Sequence, residues 1–202
     1  MTQDLSFIHR FEPGTSAAAP LLLLHGTGGD ENDLLPLGNS LAPDRSLLSL
    51  RGKVLENGMP RFFRRLAEGV FDEQDVIKRA HELADFIVEA GETYKLSKPF
   101  AVGFSNGANI AAAILLLRPE VLSGAILLRA MVPLAKPPQA DLLQKPVLII
   151  SGASDPIIPA SNAAHLATML REAHADVQHE TLPTGHNLTQ NDVTIASKWL
   201  NR

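Results

Sequence analysis

Gly103-Phe104-Ser105-Asn106-Gly107 constrains this chain more than any other stretch, because of what stands on either side of it. Pro99-Phe100-Ala101-Val102 has the apolar character of a short buried strand, and residues 108–117 read as a buried helix. A G-x-S-x-G pentapeptide between a strand and a helix is the sharp turn that exposes a serine hydroxyl above a sheet edge. Flanking glycines remove side chains that would clash inside so tight a turn, and they ease its backbone strain. Alone, the pentapeptide is equally a Gly-Ser turn joining two elements. The rest of the chain decides between the two.

A serine hydroxyl at neutral pH needs a base to take its proton, and the base needs a third group to fix its tautomer and stabilise its cation. After a turn of this kind the acid and then the histidine follow in chain order. Asp155 comes directly after Pro146-Val147-Leu148-Ile149-Ile150-Ser151-Gly152, a continuous apolar run of the kind found in central parallel strands. Its position past a strand's carboxyl end is where open α/β sheets build their sites. As half of an Asp-Pro pair it is also a natural turn residue. Of the four histidines beyond it, His165 and His174 go with the helical pattern of residues 160–173, and His179 lies in the strand pattern of residues 177–182. His186 alone occupies a loop, between that strand and the last helix. Ser105, Asp155 and His186 each fall at a strand end in the required order, which points to a hydrolytic triad. His9 and His81 precede the serine and do not fit.

Leu21-Leu22-Leu23-Leu24 runs into His25-Gly26-Thr27-Gly28-Gly29-Asp30. A loop of this type after an early strand supplies one backbone N–H to an oxyanion, here from Thr27, and the residue after the nucleophile, Asn106, supplies the other. A dinucleotide loop does not fit, because the third glycine of that fingerprint would fall at Glu31, and no Gly-Lys-Ser/Thr follows. Asp30, Glu31 and Asp33 would repel a pyrophosphate and suit a helix N-terminus instead. His25 reads as a histidine that steadies the loop.

With these residues in view the chain resembles the small carboxylesterase/phospholipase family of α/β-hydrolases, which includes acyl-protein thioesterase-like enzymes. The likeness runs through nearly the whole chain: residues 24–30, the Gly103–Gly107 turn, residues 151–159 and Gly185-His186. Residues 51–72 look like a bacterial branch of it. The resemblance implies ester or thioester hydrolysis with Ser105 as nucleophile, Asp155 as acid and His186 as base. Asn106 departs from the glutamine frequent in thioesterase and lysophospholipase relatives, which weakens assignment to them.

With 202 residues, 45% hydrophobic content and alternating strands and helices, the chain reads as one α/β domain over residues 1–202. The fold expected is an α/β-hydrolase fold: a mostly parallel twisted sheet of about seven strands, with helices on both faces and no cap domain. Residues 7–11, 46–50 and 124–128 supply further strands, and residues 73–90 and 192–200 read as amphipathic helices. A net charge of −4 argues against nucleic-acid or anionic-membrane partners. The leucine-rich stretches are too short to cross a bilayer. The N-terminal stretch carries Asp4 and lacks a signal pattern, so cytoplasm is the default compartment. The chain contains no cysteine, which excludes a cysteine nucleophile. No metal or cofactor is implied, the expected partner is a small-molecule ester, and a homodimer is left open.

Residues 129–145, where a lid is often inserted, are too few for a cap, so an open groove is expected. Met131, Val132, Phe62 and Phe63 are apolar candidates to line it, with core packing the alternative for either phenylalanine. Residues 60–69 read as a helix whose arginines face solvent or pair with Glu68 and Asp72. The alternative reading has Arg64 orienting an anionic part of the substrate. Taken together these features describe a serine carboxylester hydrolase acting through an acyl-enzyme on small or medium carboxylic esters. An acyl-thioesterase or lysophospholipase is the runner-up, and a non-catalytic ligand-binding module of the same fold is the rival from another class.

Overall fold

The computed structural model describes residues 5–202; Asp4 lies outside them. Leucine, isoleucine and valine runs of four to seven residues form the middle of one sheet, as expected of strands buried on both faces. Its seven strands are β1 (His9–Glu12), β2 (Leu21–Leu24), β3 (Leu47–Leu50), and, further along the chain, Phe100–Phe104, Gly124–Leu128, Pro146–Gly152 and Asp176–Leu182. Two short hairpins intervene: β4 (Val54–Glu56) with β5 (Met59–Arg61), and β6 (Arg65–Ala67) with β7 (Val70–Phe71). The last four sheet strands are therefore β8, β9, β10 and β11. Spatial order is β1-β3-β2-β8-β9-β10-β11, and β1 alone runs antiparallel, against β3.

The strand period of two divides the apolar side chains between two cores. Leu22, Leu24, Ala101, Leu127 and Ile149 face one way and pack under α2 (Glu73–Tyr94), α3 (Asn106–Leu117) and α4 (Ala160–Glu172). Leu21, Leu23, Val102, Leu128 and Ile150 face the other way, against α1 (Leu35–Leu41) and α5 (Gln190–Leu200). Helix α3 is buried along nearly its whole length, which accounts for a sequence that is apolar all round. Asp72 caps α2 by accepting from the Asp75 N–H at 3.2 Å, and Thr189 and Asp192 form a capping box at α5. No helix among the described residues is long and apolar enough to cross a membrane.

Two expectations fail here. Residues 60–69 are not a helix. Asn57 and Gly58 both take positive φ, 52° and 80°, so they form the two-residue turn that closes β4 on β5. Glu68-Gly69, with Gly69 at φ 72°, closes the second hairpin. Nor do Asp30, Glu31 and Asp33 serve a helix N-terminus: α1 starts at Leu35 with no acidic residue in its first turn. Glu31 instead grips Arg51 through two hydrogen bonds, and Asp30 accepts from the Asn32 N–H at 2.7 Å. These bonds brace the loop from β2 against the strand end of β3.

Candidate active site

All the candidate chemistry lies at the carboxyl edge of the parallel strands. Ser105 follows β8 at φ 51° and ψ −113°, a conformation non-glycine residues rarely adopt. It persists because its surroundings over-determine it: the Ser105 N–H donates to Leu128 O at 2.8 Å, and Ser105 O accepts from the Asn109 N–H at 3.0 Å. A Cβ on Gly103 would stand 2.5 Å from Gly107 O, and one on Gly107 would overlap the carbonyl of Leu24. Only glycine lets α3 start this close to the end of β2.

His186 comes from the loop after β11 and Asp155 from the loop after β10. His186 Nδ1 lies 2.8 Å from Asp155 Oδ2, and its Nε2 lies 3.1 Å from Ser105 Oγ. The other carboxylate oxygen of Asp155 accepts the N–H groups of Ile157 and Ile158, at 2.8 and 3.0 Å. Burial pushes the Asp155 carboxyl up, but the hydrogen bonds from His186, Ile157 and Ile158 outweigh it and hold the pKa below the ordinary carboxylate value. An ionised Asp155 accepts from Nδ1–H, which leaves the Nε2 lone pair facing the serine hydroxyl.

Thr27 and Asn106 both line the pocket over Ser105. As first residue of α3, Asn106 has an N–H without an intrahelical acceptor, aligned with the positive end of the helix dipole. The buried His25 sits behind this loop. It accepts from the Gly52 N–H through Nε2 at 3.0 Å, so Nδ1–H donates to Gly26 O at 2.6 Å. Burial pulls its pKa down, keeping the neutral tautomer that both bonds require.

The pocket holds about 260 Å³ and is bounded by the two hairpins, the start of α3 and the loops after β9, β10 and β11. Met131 lines it, as do Arg61, Arg65, Phe71, Phe104 and Ile158. Four expected lining residues do not. Phe62 and Phe63 are buried in the core, Phe62 against His25 and Phe63 against Phe71, with ring centroids 4.8 and 4.9 Å apart. Val132 packs partly buried against the core, and its backbone N–H donates to Asn162 Oδ1 at 2.8 Å. Arg64 is exposed and pairs with Asp72 at 2.7 Å. In extended chain, successive side chains point to opposite faces, so the hairpin that turns Arg65 to the pocket turns Arg64 away.

Two features escaped the sequence. Arg129, at the end of β9, is fully buried and forms a two-pronged ion pair with Asp192 of α5, at 2.7 and 3.1 Å. The same guanidinium donates to Gly185 O, Asn187 O and Thr184 Oγ1, gripping the chain on both sides of His186. The asparagines of α3 hold the pocket wall: Asn106 Oδ1 accepts from the Phe62 N–H, and Asn109 Oδ1 from the Met131 N–H, both at 2.7 Å.

Residues 10–202 match the family described as phospholipase/carboxylesterase. The chain belongs to this family of α/β-hydrolases. It is 49% identical over 193 residues to MhqD of Bacillus subtilis strain 168, covering 95% of this chain and 96% of that one. The crystal structure of a Bacillus cereus carboxylesterase superposes with a TM-score of 0.96 at 45% identity, over 99% of this chain and 96% of the other. The structure of YahD with malic acid is similar at 31% identity, with a TM-score of 0.91 and 96% and 98% coverage. In this member of the family the hairpins of residues 54–71 and the loop of residues 129–145 border the pocket, and among the described residues none forms a cap domain over it.

Proposed function

We propose that this chain is a serine carboxylester hydrolase that works through an acyl-enzyme, with residues 1–202 as one catalytic domain. One observation carries the reading: a single imidazole, His186, lies within hydrogen-bond reach of both Ser105 Oγ and Asp155 Oδ2. Ser105 Oγ attacks the acyl carbon while His186 Nε2 takes its proton. Asp155 holds the ring and stabilises the imidazolium. The carbonyl oxygen, negative in the tetrahedral intermediate, is received by the N–H groups of Thr27 and Asn106 at the start of α3. His186 then protonates the departing alcohol, and a water activated by the same nitrogen releases the acid. A pocket of about 260 Å³ supports short acyl groups over the long chains of lysophospholipids. The relative solved with malic acid points toward small acids as well.

A fluorophosphonate probe and a panel of aryl esters and acyl-thioesters of graded acyl length test this. The expected result is labelling at Ser105 and turnover falling steeply beyond short acyl groups. Absence of both labelling and turnover in the folded protein leaves a ligand-binding module. Faster turnover of thioesters than of matched oxygen esters makes it a thioesterase.

A further inference from the structure

Arg61 and Arg65 stand in the pocket wall on the β2 side of Ser105, across from His186 on the β11 side. Arg61 is almost wholly buried, at 3% exposure. Its Nε–H donates to Phe63 O at 3.2 Å and its Nη1 donates to Thr27 Oγ1 at 2.7 Å. Glu56 is shared, 3.3 Å from Arg61 and 2.8 Å from Arg65. Among the described residues the Nη2 group of Arg61 has no acceptor, and neither do the Nη groups of Arg65. One carboxylate thus serves two guanidinium groups, leaving one positive charge uncompensated at the wall. Glu68 also borders the pocket but stands out in solvent, where its charge is screened. Burial and then the neighbouring charge of Arg65 pull the Arg61 pKa below the ordinary arginine value, a penalty that an incoming anion would relieve.

Resting on the esterase reading, the geometry points to an acyl group that itself bears a carboxylate, so that the substrate is a half-ester of a short dicarboxylic acid. Thr27 links the two recognition sites. Its hydroxyl accepts from Arg61, and in the proposed mechanism its N–H receives the carbonyl oxygen. The part of the substrate nearest Arg61 is therefore the acyl chain, because the leaving group must lie beside His186 to receive its proton. A carboxylate a few bonds from the ester carbonyl reaches the free Nη groups, and Arg forks suit its two oxygens. In the reaction the Ser105 Oγ–acyl bond forms and the acyl–alkoxy bond breaks, the proton passing from Ser105 through His186 to the alcohol. Water then cleaves the acyl-enzyme, so half-ester plus water gives dicarboxylic acid plus alcohol.

The test compares 4-nitrophenyl hydrogen succinate with 4-nitrophenyl methyl succinate, esters of nearly equal size that differ by one charge. Wild-type enzyme is expected to favour the half-ester by about tenfold in kcat/KM, the worth of one charge-assisted contact, and to lose part of that preference at high salt. Arg65→Gln should raise KM for the half-ester several-fold more than for the diester, and Arg65→Glu should reverse the preference. Arg61→Gln carries the same prediction if circular dichroism shows it folded; Arg65, being partly exposed, tests the idea if it does not. Succinate binding, read by calorimetry, should weaken in parallel and needs no turnover. Equal kcat/KM for the two wild-type esters, with a ratio unmoved by the Arg65 variants, overturns the carboxylate clamp while leaving the esterase standing. Failure of both esters together with failure of fluorophosphonate labelling overturns the esterase reading itself.

Discussion

Arg129 and Asp192 meet in a fully buried ion pair, Nη1 to Oδ1 at 2.7 Å, that ties the end of β9 to the first turn of α5 across the base of the His186 loop. Two buried charges are costly to desolvate, and such a pair survives only when its remaining donors and acceptors are satisfied. Here they are: Arg129 gives its other N–H groups to carbonyls of Ile150, Gly185 and Asn187, while Asp192 Oδ2 accepts from the Thr189 N–H. The pair thus sets where the imidazole stands.

Substitution separates its two effects. Asp192→Leu alone leaves a buried cation and should cost about 3–5 kcal/mol of stability in urea melts. The double variant Arg129→Met/Asp192→Leu should recover much of that stability, since apolar pairs of similar volume replace buried ion pairs well. It should not recover kcat, because methionine cannot hold the carbonyls of Gly185 and Asn187. Recovery of both would show that the pair only stabilises the fold.

Ser105→Ala and His186→Ala should each lower kcat by about 10³-fold or more in folded protein. His179→Ala should not. His179 lies on β11 with its Nε2 2.9 Å from Ser151 Oγ, within the sheet and away from the pocket. An inactive, folded His179→Ala beside an active His186→Ala would reverse the assignment.

The hydrogen bonds from His186, Ile157 and Ile158 outweigh burial and hold the pKa of Asp155 below the ordinary carboxylate value, so its carboxylate stays ionised well into the acid range. The same depression makes a stability statement. Asp155 contributes stability that is fully present above its unfolded pKa and is lost as pH falls through the lower folded value. The stability gap between wild type and Asp155→Asn should be flat near neutrality and shrink toward acid, as measured by urea melts at several pH values.

How far these features could be read beforehand depends on where the determining contacts lie. Ser105 and Asp155 were legible because each follows a strand whose apolar run marks it as central, and His186 because, of the histidines after Asp155, it alone lies in a loop, past the polar edge strand β11. The Asn57-Gly58 turn carried its own signal, yet Pro60 and the arginines around it break the alternation that would flag a hairpin. That misreading moved the cationic side chain at the pocket from Arg65 to Arg64. Arg129 left no local trace. Its partner is 63 residues away, and a charged residue just past a strand ordinarily means surface.

The side chain of Asn106 does structural work that the proposed role of its backbone N–H does not require. Oδ1 accepts the buried N–H of Phe62 and so pins the first hairpin to the serine turn. Nδ2 is buried with no hydrogen-bond partner among the described residues, so deleting that end forfeits nothing. The cost of Asn106→Ala therefore comes from the orphaned Phe62 N–H, about 1–3 kcal/mol for a buried donor left unsatisfied. Loosening this hairpin also frees Arg61, one residue before Phe62, from its place beside Thr27. KM should rise together with the loss of stability, and both should be partly restored by Asn106→Asp, which keeps an oxygen facing Phe62. A lower urea midpoint with KM unmoved would mean that the hairpin keeps its position without this bond.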